Sequence, residues 1–98
     1  MELRTLQYFV TVAEELNITR AAEKLHMSQP PLSAQIKNLE AELDTVLFIR
    51  GKRHLKLTES GQLLYRRAKD ILSLAERTRD ESRSSISHPM ILRELYIL

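Results

Sequence analysis

Residues 18–43, ITRAAEKLHMSQPPLSAQIKNLEAEL, constrain this chain more than any other stretch. They read as two helices joined by a tight turn. Asn17 or Thr19 can cap a short first helix over residues 19–25. Ala21 and Ala22 let a second helix cross closely, and Leu25 points inward. His26-Met27-Ser28 is the turn: Met27 plugs the gap between the helices, and His26 is a residue type that tolerates an unusual backbone angle. Beyond it, Leu32, Ile36, Leu39 and Leu43 step by four, three and four, which places them on one buried face. The opposite face carries Pro30, Ala34, Lys37 and Ala41, flanked by Ser33 and Asn38. The start of this second helix falls somewhere from Ser28 to Pro31. Ser28 has N-cap chemistry, but a cap needs backbone N–H groups two or three residues on, and Pro30 and Pro31 have none. The prolines instead remove donors that would be orphaned at a helix start, and each disfavours a helical residue before it. Free donors near Ser28 and Gln29 can then face a phosphate. A short helix, a tight turn and a longer helix with a polar N-terminal face fit the DNA major groove.

The bulk numbers exclude several classes. At 98 residues the chain is one domain, with room for an appendage. Its 43% apolar and 29% charged content is that of a globular protein. Without cysteine there is no disulfide frame and no thiolate metal site, and no cofactor is implied. No apolar run reaches the roughly 18 residues a membrane span needs. The opening MELRTLQYF places Glu2 and Arg4 in its first turn and lacks a small-residue cleavage pattern, so a cytoplasmic location is the expectation. The formal charge of +2 says little about nucleic acid, but its distribution says more. Residues 48–57 hold Arg50, Lys52, Arg53 and Lys56 with no acid, while residues 40–44 hold Glu40, Glu42 and Asp44 with no base. A molecule with one basic tip and one acidic end can orient on a polyanion.

Around the central unit the remaining elements follow from periodicity. Leu3, Leu6, Val10 and Ala13, widened by Phe9 and Leu16, form the stripe of an amphipathic helix over residues 3–16. Residues 47–57, LFIRGKRHLKL, read as a hairpin: Leu47 and Ile49 alternate, Gly51-Lys52-Arg53-His54 turn, and Leu55 and Leu57 alternate again. Such a hairpin is marginal alone and must pack on the helices as a wing. Thr58 is a candidate N-cap before Glu59, opening a long helix to about Ser85. One stripe of it runs Gly61, Leu64, Ala68, Ile71, Ala75, Thr78, Ser82 in steps of three and four. That is a heptad seam, and its small alternate members would let a second copy of the helix approach closely, the alternative being a seam packed back on the same chain. Pro89 ends the helix, and the tail MILRELYIL is too short to bury itself.

The pattern resembles the N-terminal domain of the LysR-type transcriptional regulators of bacteria. The matching residues are Leu6-x-Tyr8-Phe9 with Ala13, then Ala21-Ala22-x-x-Leu25-His26-Met27-Ser28-Gln29-Pro30-Pro31-Leu32-Ser33, Gln35-Ile36, Leu39-Glu40, Leu47-Phe48-x-Arg50 and Leu57-Thr58-x-x-Gly61. The match covers about residues 1–88. It implies a mainly α fold: a winged helix-turn-helix over residues 1–58, then a linker helix over 59–88 that pairs with its copy. Residues 89–98 resemble the opening strand of an effector-binding domain that these residues do not include. The function implied is sequence-specific binding of double-stranded DNA and transcriptional regulation, as a fragment lacking its inducer-binding domain. The implied partners are inverted-repeat half-sites and a second copy of the chain, in the bacterial cytoplasm at the nucleoid, with no membrane. The chain departs from the family pattern at Ala34, where a basic or polar residue is common.

On this reading affinity comes mainly from phosphates and specificity from a few groove-facing side chains. Gln29 can pair bidentately with adenine, Ser33 can donate or accept, and Pro30 and Ala34 offer apolar contact, Ala34 to a thymine methyl. Ser28, Thr19, Arg20 and Lys37 are candidate phosphate or groove contacts. Arg50, Lys52 and Arg53 on the wing suit the backbone or a narrowed minor groove. Dimerisation is expected through Gly61, Leu64, Ala68, Ile71, Ala75 and Thr78. An enzyme is not indicated: His26, His54 and His88 fall on different elements, with no serine or carboxylate placed to work with them. A protein-interaction module is the stronger rival, and the basic wing tip argues against it.

Overall fold

Why three short helices should close on each other is explained by one ring. Phe9 is completely buried, and Leu6, Val12, Leu32, Leu39 and Leu47 surround it in a single apolar core. The computed structural model describes residues 1–86, in the order α1 (Leu3–Glu15), α2 (Ile18–Lys24), α3 (Gln29–Leu43), β1 (Phe48–Arg50), β2 (Leu55–Leu57) and α4 (Glu59–Ile86). The expected tail strand at residues 89–98 lies outside the described residues.

Local chemistry sets each boundary. α1 stops at Leu16, which adopts a left-handed conformation (φ 52°) and returns its N–H to the Val12 carbonyl. Asn17 then caps α2, its side-chain oxygen accepting from the Arg20 N–H at 2.9 Å. Asn17 is thus the cap and Thr19 is free for another task; α2 starts one residue earlier than the sequence suggested. His26 takes the unusual angle expected of it (φ 55°), so the chain reverses between α2 and α3 without a glycine. Ser28 is extended and makes no side-chain cap bond, and α3 begins at Gln29 with both prolines in its first turn. The prolines explain why the cap is silent: the donors it would serve do not exist.

Three apolar positions depart from the expected pattern. Leu43, assigned to the buried face of α3, is 36% exposed, because the helix ends there and Asp44 turns the chain away. Leu3, at the other end of the α1 stripe, is also exposed. In the hairpin the inward residues are Leu47 and Phe48 rather than Leu47 and Ile49. Leu47 precedes the strand, and Phe48 stacks obliquely on Phe9 at 5.4 Å between ring centroids, which turns Ile49 outward. The strands pair antiparallel, with Phe48 opposite Leu57, Ile49 opposite Lys56 and Arg50 opposite Leu55.

Side-chain bonds hold this hairpin to the helices. The Glu40 carboxylate, in the acidic stretch 40–44, accepts from the backbone N–H groups of Leu47 (2.7 Å) and Phe48 (3.3 Å). Leu55 donates its N–H to the Leu16 carbonyl at the end of α1. Thr58 caps α4 as expected, accepting from Gly61 N–H, while its hydroxyl donates to the Val46 carbonyl at 2.6 Å. α4 crosses α1, where the Tyr65 hydroxyl and Lys69 ammonium both reach Glu14. The hydrogen bond to Glu14 raises the Tyr65 phenol above its ordinary pKa.

The seam expected on α4 divides. Gly61 and Ala68 are buried within this chain and half-buried Leu64 packs against the same core. A Cβ at Gly61 would lie 2.3 Å from the Leu47 carbonyl oxygen, so the small residue here accommodates the chain's own wing junction, not a second helix. Further along, Ile71 and Leu74 are exposed. Leu63 is exposed too, on the same side as Leu74. At about 100° per residue Leu63 and Leu74 lie about 140° round the helix from the line of Gly61 and Ala68, and Ile71 about 70°.

Candidate nucleic-acid interface

α3 is seated by its apolar face, with Leu32 and Leu39 essentially inaccessible and Ile36 buried. A helix so anchored must present its other side outward. Gln29, Pro30, Ala34 and Lys37 are all exposed there, and Ser33 is partly so. This is the face the sequence assigned to the groove.

The wing closes one flank of that face. A cleft of about 430 Å3 runs between α3 and the hairpin. Thr19, Gln29, Ser33 and Lys37 line its helical wall, and Arg50, Gly51, Lys52, Arg53 and His54 line its wing wall. Its floor is apolar, from Leu16, Ile18, Ile36, Phe48 and Leu55. The turn at the tip is closed by the Gly51 N–H donating to the His54 carbonyl at 2.8 Å. A Cβ at Gly51 would sit 2.6 Å from that carbonyl oxygen, so this position requires glycine.

The cations of this surface are uncommitted, and the Glu40 carboxylate that also lines the cleft is bonded to the backbone of the wing. Among the described residues, the ion pairs employ the N-terminus, Lys24, Lys69, Arg79 and Arg83. Arg20, Lys37, Arg50, Lys52 and Arg53 are in none of them. Cations that form no ion pair are available to an incoming polyanion. The polar side chains are not all so free. The Thr19 hydroxyl donates to Gln29 Oε1 at 3.3 Å across the turn.

Of the expected contact residues, Thr19, Gln29, Ser33, Lys37, Arg50, Lys52 and Arg53 meet around one cleft. Arg20, Ser28, Pro30 and Ala34 are exposed beside it rather than in its walls. Gly51 and His54 complete the wing wall and were read only as turn residues.

A family model described as the bacterial regulatory helix-turn-helix protein, lysR family, matches residues 3–62. The chain belongs to the lysR family. Among its lysR-family relatives, the transcriptional regulator BsdA of Bacillus subtilis is 55% identical over 73 residues, covering 74% of this chain and 25% of that protein. BudR of Klebsiella aerogenes is 52% identical over 83 residues, covering 85% of this chain and 58% of that one. The chain thus spans between a quarter and about three-fifths of the length of these relatives. In structure it is similar to the BenM DNA-binding domain crystallised with catB site 1 DNA, with a TM-score of 0.86 and 46% identity over 89% of this chain and 98% of that one. It is also similar to the CbnR DNA-binding domain in its DNA complex, with a TM-score of 0.84 and 45% identity over 88% of this chain and 99% of that one.

Proposed function

We propose that this lysR-family chain binds double-stranded DNA sequence-specifically and serves transcriptional regulation. The observation that carries the reading is the cleft in which the exposed polar face of α3 meets an unpaired basic wing. α3 enters the major groove. Gln29 and Ser33 meet base edges, Pro30 and Ala34 give apolar contact, and Ser28, Arg20 and Lys37 border the phosphates. Arg50, Lys52 and Arg53 follow the backbone or an adjacent narrowed minor groove. Residues 1–58 form the reading unit and α4 (Glu59–Ile86) serves as the linker helix. The DNA-bound forms of BenM and CbnR support this assignment. The chain is a binding module rather than an enzyme, in keeping with relatives that are transcriptional regulators, and it works in the bacterial cytoplasm.

Two copies pair through α4, with Ile71, Ala75 and Thr78 joined by Leu63 and Leu74. The support is that Leu63, Ile71 and Leu74 are exposed along one side of a helix about 42 Å long at 1.5 Å per residue. A paired molecule places two α3 helices on one duplex and calls for an inverted repeat, its half-sites one helical turn or a multiple apart, about 34 Å per turn.

Selection from a random duplex pool, followed by titration of the enriched sequences at several salt concentrations, tests the proposal. An enriched inverted repeat with affinity falling steeply with salt is the expected result. No binding at low salt would overturn it.

A further inference from the structure

Gln29 is the first residue of α3, and its backbone is held by the prolines that follow it. Its side chain is another matter, because a glutamine has three rotatable bonds and its amide plane must be set before it can meet a base edge with two hydrogen bonds. Among the described residues, the side chain bonded to that amide is Thr19. Thr19 sits in the first turn of α2, downstream of the Asn17 cap, and α2 is locked to the core by Ala21 and Ala22. Its hydroxyl therefore projects from a fixed element, and it donates to Gln29 Oε1 at 3.3 Å.

Resting on the DNA-reading function proposed above, we infer that Thr19 is a positioning residue that sets the base preference of Gln29, not primarily a phosphate contact. With one Oε1 lone pair taken by Thr19, the amide retains the other lone pair and both Nε2 hydrogens. That remaining set, one acceptor beside one donor, complements the N6 donor and N7 acceptor of adenine. It opposes guanine, whose O6 and N7 are both acceptors. The hydroxyl also lowers the number of amide orientations that the DNA would otherwise have to select.

The test compares base-resolved preference profiles of the wild type, Thr19→Val, Thr19→Ser and Gln29→Ala, with the Thr19→Val/Gln29→Ala double variant. Thr19→Val keeps the branched shape and removes the hydroxyl; thermal melting confirms that each variant is folded. The inference expects Thr19→Val to reduce discrimination about three- to ten-fold at the base position that Gln29→Ala also flattens, with the salt slope unchanged. It expects Thr19→Ser to restore discrimination, and Thr19→Val to add nothing in the Gln29→Ala background. Uniform weakening across all sequences with a shallower salt slope would identify Thr19 as a phosphate contact and overturn the inference. So would an effect of Thr19→Val that persists undiminished without Gln29. If the wild type enriches an inverted repeat but Thr19→Val matches it, the inference fails and the DNA-binding function stands. If the wild type enriches no sequence, the underlying function fails first.

Discussion

Gln29 and Arg53 stand on opposite walls of one cleft and differ in what they can recognise. An amide carries a donor and an acceptor and can tell base edges apart; a guanidinium on an exposed turn meets phosphate whatever the sequence. Gln29→Ala is accordingly expected to cost about 1–3 kcal/mol of discrimination at one base position, the range for a bidentate contact. A preference profile identical to the wild type would contradict that role. Arg53→Ala is expected to weaken binding nearly uniformly and to lower the salt slope by about one, as loss of a single phosphate contact should. An unaltered slope would remove Arg53 from the interface. The placement of both residues on this cleft was legible in the sequence, from residue type and position within α3 or the hairpin tip. The Thr19 hydroxyl was not, because its partner lies across a turn whose geometry depends on the left-handed His26.

At the level of elements, the helices and wing could be read from periodicity because each buries one face. The errors arose where an element ends or where its face has a choice of neighbour. Leu43 follows the α3 repeat but lies in its last turn, beyond the reach of the core. Ile49 follows an alternation that Phe48 overrides, since the larger ring wins the place against Phe9. The small residues of α4 posed the same ambiguity: close approach of a helix was legible, and the identity of the approaching chain was not. Gly61 meets the Leu47 carbonyl, and Ala68 meets the core. Gly61→Ala therefore should destabilise the fold by at least about 1 kcal/mol through overpacking against backbone, despite alanine's better helix propensity. For a domain this small, that corresponds to a fall in Tm of about 4 °C or more in a melting experiment. A higher Tm would show that Gly61 faces open space. Glu40 belongs by sequence to an acidic end, yet its carboxylate fastens the start of the wing.

For the whole molecule, α4 has a division of labour. Its first half is fixed to the core through Gly61, Leu64 and Ala68, while Ile71 and Leu74 are exposed, and the proposed pairing of two copies uses that exposed side. The double variant Ile71→Asp/Leu74→Asp is expected to sediment as a monomer, to keep weak binding to a half-site and to lose the gain from an inverted repeat. A dimer of unchanged strength would place the contact elsewhere. Amide NMR shifts during titration with an enriched duplex locate the surface that meets DNA, proposed above to be the α3–wing face. The largest changes are expected at Gln29, Ser33, Ala34 and Lys37 on α3 and from Gly51 to His54 on the wing. Changes confined to Leu63–Thr78 of α4, with the α3–wing face unmoved, would contradict that proposal.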